Sequence, residues 1–341
     1  MDLPSSQPDS AAPPAALAPR IFPGLRPRLR RLAGLALVIS CFCLAPLSAL
    51  AGPSVAVLYP DLNDPYRKVF LEIIRGIETE LQQPVKAYLL RSDLTPEAMA
   101  KQLKQDRIDV AIALGRAGYV AAKAISGNLP VVIGAVLVAP GKDEEGLSGI
   151  SLTPDPAILF TRLRELVPQA REVTVIYDPG RKGEEIARAR DAAKIQGLAF
   201  NALPAADLKL SAALYHKLLM DIKNGAVAIW LPQDSAAMDE QALLPLLLRE
   251  AWDKSFVVFS SNLDHVRKGA LFSLYPDNAG MGRSLAAMAR SRLQPQPSRG
   301  TTIEPLRDVL MAVNLRTAEH LGLSFAGTAL RRFGMTFPPP Q

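Results

Sequence analysis

Asp109-Val-Ala-Ile-Ala-Leu114 has no polar face. A strand this apolar has to be covered on both sides, which is the situation of a parallel strand inside a sheet with helices above and below. The same unit recurs. Ser54-Val-Ala-Val-Leu-Tyr-Pro60 ends in a turn built from Asp61, Asn63, Asp64 and Pro65, and Val69, Phe70, Ile73, Ile74, Ile77 and Leu81 follow at helical spacing. Val85–Leu90 and Leu129–Gly134 are two more short apolar runs, each next to a helical pattern. Four strands, each followed by a helix or a loop, form a parallel sheet with right-handed crossovers.

The alternation stops and restarts around Gly146–Val167. Gly149–Leu152 is strand-like, Asp155-Pro156 is a strong helix start, and Leu159, Leu163, Leu166 and Val167 form one apolar stripe. Read alone, the stretch is either a crossing between two lobes or an ordinary step inside one sheet. A second series follows and fits a crossing: strands over Glu172–Tyr177, Ala199–Leu203, Gly225–Leu231, Phe256–Phe259 and Gly269–Tyr275, with helices over about 183–196, 212–223 and 242–252. The expected bending points of a crossing are Gly146, Gly149 and Pro154. A helix over 278–293 can return to the first lobe. A polar loop at 294–302, a strand at Val309–Val313 and a short helix at Leu315–His320 complete the pattern, and Phe337–Gln341 reads as an unordered tail.

The net charge of +6 is concentrated at the start. Residues 1–51 hold five arginines and two acids, which leaves 34 of the 39 basic and 31 of the 33 acidic side chains for the remainder. No basic face of the kind that binds nucleic acid follows. Both cysteines, Cys41 and Cys43, also lie in this leader, so the rest of the chain has no disulfide, thiolate metal site or cysteine nucleophile. Residues 1–19 read as disordered. Arg26–Arg31, the apolar run Leu32–Leu50 and Ala49-Leu-Ala51 form a basic, apolar and small-residue series: a secretory signal cleaved after Ala51. Val38-Ile-Ser-Cys41 resembles a lipobox and offers a lipoprotein anchored at Cys41 as the alternative. An uncleaved anchor ranks third, because Pro46 and the cleavage site oppose it.

The sequence has no phosphate-cradling glycine loop, no paired-histidine metal helix and no Gly-x-Ser-x-Gly elbow. No cofactor and no metal are expected. Asp264-His265 is the one pair with catalytic residue types, and both read as surface-loop residues, since neighbours in sequence point apart. The candidate site is the set of loops at the carboxyl ends of the strands, where parallel α/β sheets bind ligands. The first lobe offers Tyr59, Asp61, Gly115, Arg116 and Tyr119, and the loop Ala135–Val138. The second offers Asp178, Gln233, Asp234, Ser261, Asn262, Tyr275 and Asp277. Gly115–Gly118 opens a helix whose free N–H groups, with Arg116, can hold a carboxylate, or its glycines simply make the turn. Asp234 and Asp277 either pair with a ligand ammonium or cap helices, the commoner use of Asp at such turns. The tyrosines either stack on a ligand or pack.

Four stretches carry a family resemblance: Ala113-Leu-Gly-Arg-Ala-Gly118, Gly146-Leu-Ser-Gly-Ile-Ser151, Ala228-Ile-Trp-Leu-Pro-Gln-Asp234 and Val313-Asn-Leu-Arg-Thr-Ala-Glu-His-Leu-Gly322. Through them the chain resembles the ABC-transporter substrate-binding protein family that includes the tryptophan/tyrosine-binding lipoproteins. The resemblance implies a type I periplasmic-binding-protein fold: an α/β chain of two doubly wound parallel-sheet lobes joined by a three-crossing hinge. It also implies a ligand between the lobes, delivery to an ABC permease in the membrane, and a family Asp that falls on Asp234. Two loops depart from the family: Gly115-Arg-Ala-Gly118 stands for Gly-Thr-Pro-Ala, and Leu137-Val-Ala-Pro140 for a Thr-Asp-Pro turn. The fold carries over; ligand identity does not.

The expected division is a leader at 1–51, a first lobe at 52–148 with about 276–308, a second at 149–275 with about 309–325, and a tail at 326–341. The expected function is that of an extracytoplasmic, periplasmic solute-binding protein for a small, amino-acid-like ligand, without catalysis. The rivals are a ligand-sensing module for a membrane receptor or kinase, and a hydrolase or transferase using Asp234, Asp277 and His265.

Overall fold

The computed structural model describes residues 52–339 apart from 92, 94, 140–145, 223–224, 234–236, 295–301 and 326. The leader therefore lies outside the described residues. Two sheets form. The first contains β1 (Val55–Pro60), β2 (Lys86–Leu90), β3 (Val110–Leu114), β4 (Val131–Val136), β5 (Ser148–Pro154) and β11 (Ile303–Leu306), in the order β2-β1-β3-β4-β5-β11 and parallel throughout. The second contains β6 (Glu172–Tyr177), β7 (Ala199–Pro204), β8 (Val227–Leu231), β9 (Val257–Ser260), β10 (Phe272–Pro276), β12 (Val309–Asn314) and β13 (Met335–Phe337). Its order, β7-β6-β8-β9-β10-β12-β13, begins with the same winding. The first five strands of each lobe thus follow one doubly wound plan, and β12 joins β10 antiparallel.

Helices cover both faces of each sheet. In the first lobe α1 (Tyr66–Leu81) and α9 (Asn278–Arg292) lie on one face with Phe70, Ile73, Ile77, Met281 and Leu285 in the core; α2 (Pro96–Gln105) and α3 (Gly115–Ile125) cover the other with Met99, Leu103, Ala122 and Ile125. The helices α1 and α9 approach through glycines: a Cβ on Gly76 would stand 2.1 Å from the Ala279 carbonyl oxygen, and one on Gly282 would stand 2.1 Å from that of Ile73. In the second lobe α4 (Pro156–Leu166) and α5 (Pro179–Ile195) bury Leu159, Phe160, Leu163 and Ile186 on one face. Phe160 meets Trp230 edge-on at 5.6 Å between centroids. The helices α6 (Leu208–Asp221) and α7 (Leu243–Asp253) cover the opposite face, and α8 (Leu263–Lys268) and α10 (Leu315–His320) are short.

The chain passes between the sheets three times: from β5 to α4, from β10 to α9 and from β11 to β12. The crossings are tied together. The amides of Asp155 and Asp277 donate to Leu306 O and Asp308 O, both at 2.9 Å, so the third crossing accepts one bond from each of the others. Ser284 Oγ donates to Asp308 Oδ2 at 2.6 Å.

Several details differ from the sequence reading. The stretch from 149 pairs in the first sheet through Pro154, so the chain leaves that lobe at Pro154–Asp155. Gly149 is not a bending point: its missing side chain admits Ile133 O, 2.3 Å from where a Cβ would sit. Helix α5 begins at Pro179, because Asp178 Oδ1 accepts from Gly180 N at 2.9 Å, and Asp178-Pro179 starts a helix as Asp155-Pro156 does. Met335–Phe337 is not a tail but an edge strand, supplied with partners by β12.

Candidate functional site

The carboxyl ends of the two sheets face each other across the hinge. One cavity of about 470 Å³ is lined by Leu137, from the loop after β4, and by Pro232, Gln233, Met238, Glu240, Asn262 and His265 of the second lobe. A second, of about 330 Å³, is lined by Leu137, Val138, Ala139 and Thr153 on one side and by the first turns of α5, with Lys182 and Glu185, on the other. Leu137 belongs to both, so one first-lobe loop separates two interlobe spaces.

The polar wall of the larger cavity comes from the second lobe. Strand β9 ends at Ser260, whose hydroxyl accepts from Asn262 N at 2.9 Å and lies 2.8 Å from His265 Nδ1 and 3.2 Å from Leu231 O. Asn262 caps α8 by accepting from Asp264 N. That short helix carries His265 inward, 4 % exposed, with Nε2 3.2 Å from Glu240 Oε1. Lys268, one turn on, donates to Glu240 Oε2 at 2.7 Å, and Asn262 Nδ2 reaches Oε1 at 3.5 Å. Burial pushes the His265 imidazole below its ordinary pKa, although Glu240 opposes the shift. The hydrogen bond from Lys268, with that from His265, holds the Glu240 carboxyl below the usual carboxylate range. The neutral imidazole with its proton on Nε2 therefore donates to Glu240 and accepts from Ser260 at Nδ1.

The sequence-expected residues divide. Gln233 and Asn262 line the larger cavity. Asp178 caps α5, whose first turns line the smaller one, and its Oδ2 is 3.5 Å from Arg181 Nε. Ser261 is buried beneath the site and accepts from Trp230 Nε1 at 3.1 Å, a packing role. Asp277 caps α9 through Gly280 N at 3.0 Å, with Arg283 at 3.8 Å, so it serves the hinge. Tyr275 lies beside Gly334, where a Cβ would stand 2.4 Å from its hydroxyl; burial, then Asp277, raises its pKa. In the first lobe Tyr59 is buried in the core, and Asp61 lines a separate cavity with Arg91 and Asp93. Gly115 adopts φ +71 under Phe70, so its glycine makes the turn; Arg116 is exposed, and Tyr119 lies beneath Lys123, 4.9 Å from the ring centroid. Neither Arg116 nor Tyr119 lines the two interlobe cavities described here. Asp234 lies outside the described residues.

His265 is not a surface-loop residue, as the sequence reading had it; Asp264 is exposed and pairs with Arg267 at 3.0 Å. Glu240 and Lys268 were missed altogether. Among the described residues no three metal-ligating side chains come together, and no helix is long and apolar enough to cross a membrane.

Two doubly wound lobes, three tied crossings and cavities lined from both lobes define a bilobed binding protein. The family model described as "ABC transporter substrate binding protein" matches residues 91–332, and the chain belongs to that family. A ligand-free, open substrate-binding protein with adhesive properties from Clostridium difficile shares the fold at TM-score 0.55 and 15% identity, over 83% of this chain and 98% of that one. A structure titled as an ABC domain in complex with L-Trp, from Streptococcus pneumonia, aligns at TM-score 0.46 and 18% identity, over 83% and 99%. A conserved domain protein from Vibrio cholerae aligns at 0.46 and 17%, over the same shares. No curated protein sequence matches. The fold is that of type I periplasmic binding proteins. The function is the family's: a substrate-binding protein of an ABC transporter, working outside the cytoplasmic membrane and taking a small ligand.

Proposed function

We propose that this protein holds a small, amino-acid-like ligand in the larger interlobe cavity and releases it to a specific ABC permease. The observation that carries this reading is the composition of that cavity: Leu137 from one lobe and Gln233, Asn262 and their neighbours from the other. A ligand touching both lobes stabilises the closed state, because only that state offers both sets of contacts. Asp234, which follows the Trp-Leu-Pro strand and matches the family's Asp, is retained as a ligand contact. The moving units are the two sheets with their helices, the first lobe running through Pro154 and resuming at α9.

The protein acts without turnover. His265 and Ser260 lie 2.8 Å apart, but Ser260 is fully buried and its hydroxyl is already engaged by Asn262 N, which supports a structural role. The basic, apolar and small-residue series of the leader supports a signal peptide cleaved after Ala51, and the lipobox-like Val38–Cys41 supports a lipoprotein anchored at Cys41 as the alternative. The mass of the protein's N-terminal peptide separates them.

The function is tested by a thermal-shift screen of the protein against amino acids, amines, carboxylic acids, sugars, purines and short peptides. A true ligand raises the melting temperature with concentration, by a free energy that grows as RT ln(1 + [L]/Kd). The ligand is recovered chemically unchanged after incubation. Conversion of any compound in the panel would sink the non-catalytic reading.

A further inference from the structure

We infer that Glu240 is the residue of the cleft that reads the ligand, and that it takes a cationic amine whose apolar body packs against Leu137, Met238 and Pro232. The inference rests on the proposal of a small ligand in this cavity, and it names that ligand's chemical class.

The geometry of Glu240 carries it. Its side chain is 47% exposed, at the lip of a cavity closed from the other lobe by Leu137. It is nevertheless held from behind. Lys268 donates to Oε2 at 2.7 Å, and His265 Nε2 lies 3.2 Å from Oε1. A carboxylate oxygen has room for two donors. Among the described residues Oε1 takes His265 Nε2 at 3.2 Å and the Asn262 amide at 3.5 Å, whereas Oε2 takes only Lys268, so acceptor capacity remains on Oε2. Ionisation of Glu240 is favoured by these donors, Lys268 first. Lys268 is itself 44% exposed, so the pair is a solvent-screened one that a ligand can enter at little cost.

The remainder of the lining fixes the body of the ligand. From the first lobe this cavity receives Leu137, an apolar side chain 46% exposed. Closing an apolar residue over an ionised carboxylate removes water from the charge, which favours a ligand that brings a compensating cation. Gln233 and Asn262 serve as neutral partners for whatever polar group accompanies the amine. A free carboxylate on the ligand is optional in this scheme, so a monoamine is a sufficient probe.

Isothermal titration of the full chain with isoamylamine and phenethylamine tests the inference, against the matched acids isocaproate and 3-phenylpropionate and the neutral polyol ribose. The amines bind the wild type and the acids do not. Glu240→Gln weakens amine binding at least tenfold. Lys268→Met strengthens it severalfold, because Lys268 competes for the same carboxylate; a folding defect does not produce a gain. Unchanged amine affinity in Glu240→Gln, or weaker binding in Lys268→Met, overturns the inference. Wild-type binding of the acids or ribose but not the amines also overturns it, while leaving small-ligand binding intact. If the wild type binds nothing in this set or in the wider thermal-shift panel, the small-ligand proposal falls and this inference falls with it.

Discussion

Asp155 and Arg307 meet across the hinge, Oδ2 to Nε at 3.0 Å, joining the first crossing to the third. The same carboxylate accepts from Ala157 N at 3.0 Å through Oδ1, and the Asp155 amide donates to Leu306 O. One residue thus ends a strand of one lobe, starts a helix of the other and holds the third crossing beside them. Asp155 is buried, whereas the Arg307 side chain is 68% exposed. The helix cap is therefore the larger contribution, and the ion pair is screened. Asp155→Ala should lower stability by about 0.5–2 kcal/mol, the range for loss of a cap. Arg307→Ala should cost at most about 1 kcal/mol. Urea denaturation of both variants checks the order; equal losses would place the weight on the ion pair instead.

The contact between α1 and α9 gives a second prediction, with a built-in control. Gly282 faces the Ile73 carbonyl and Gly76 faces that of Ala279, both backbone atoms that cannot turn aside. Alanine at either position must push the helices apart, at a cost of about 1–3 kcal/mol or more for overpacking. Gly183 is also helical, but nothing lies within 4 Å of its Cβ position. Gly183→Ala should therefore stabilise by about 0.5–1 kcal/mol, the ordinary helix preference for Ala over Gly. Calorimetric melts that showed the same sign for Gly282→Ala and Gly183→Ala would contradict this packing.

The carboxyl-terminal edge is a third test. Strand β13 pairs with Ala312, Val313 and Asn314 of β12, and Arg267 lies over Phe337 at 5.4 Å. Ending the chain at Gly334 removes this cover and leaves β12 as an open edge, a ready partner for another chain. The truncated protein should melt lower and aggregate on heating, as followed by light scattering. An unchanged melt with no added scattering would mean that the strand contributes nothing.

The plan of the fold was legible because its signals are local and repeated. Val110–Leu114 and Val227–Leu231 announce buried parallel strands by composition alone, and Asp155-Pro156 announces a helix start. Asp178-Pro179 carries the same signal, but Gly180 and Gly183 hid it, since glycine lowers helix propensity. Met335–Phe337 has only three residues and no pattern of its own; it is a strand because β12 lies beside it. The site was less legible for the same reason. Gln233 and Asn262 follow strands directly, so position was enough to find them. Glu240 lies far along the loop after β8, in the turn just before α7, and His265 turns inward because Ser260 and Glu240 wait on either side of it. Burial of a polar residue on a six-residue helix is decided by tertiary packing, and no spacing rule in the chain encodes it.

His265 makes the last prediction, and its sign follows from its surroundings. Asp264 and Glu240 favour its charged form, and Lys268 opposes it, but burial dominates and lowers its pKa below the ordinary 6.5. The unfolded chain then takes up the proton more readily than the folded one. The stability linked to this group is fully present above pH 6.5 and is lost as pH falls through the folded value. Each unit of that lowering is worth about 1.4 kcal/mol. Glu240 is also held below its ordinary value, by Lys268 first, so its contribution is lost only at more acidic pH, in the carboxylate range. Between pH 7.5 and 5.5 the wild type should therefore lose stability that His265→Gln does not lose. Urea midpoints of the two proteins across that interval measure the difference directly. Parallel pH dependence would mean that protonation of His265 is no harder in the fold than in water.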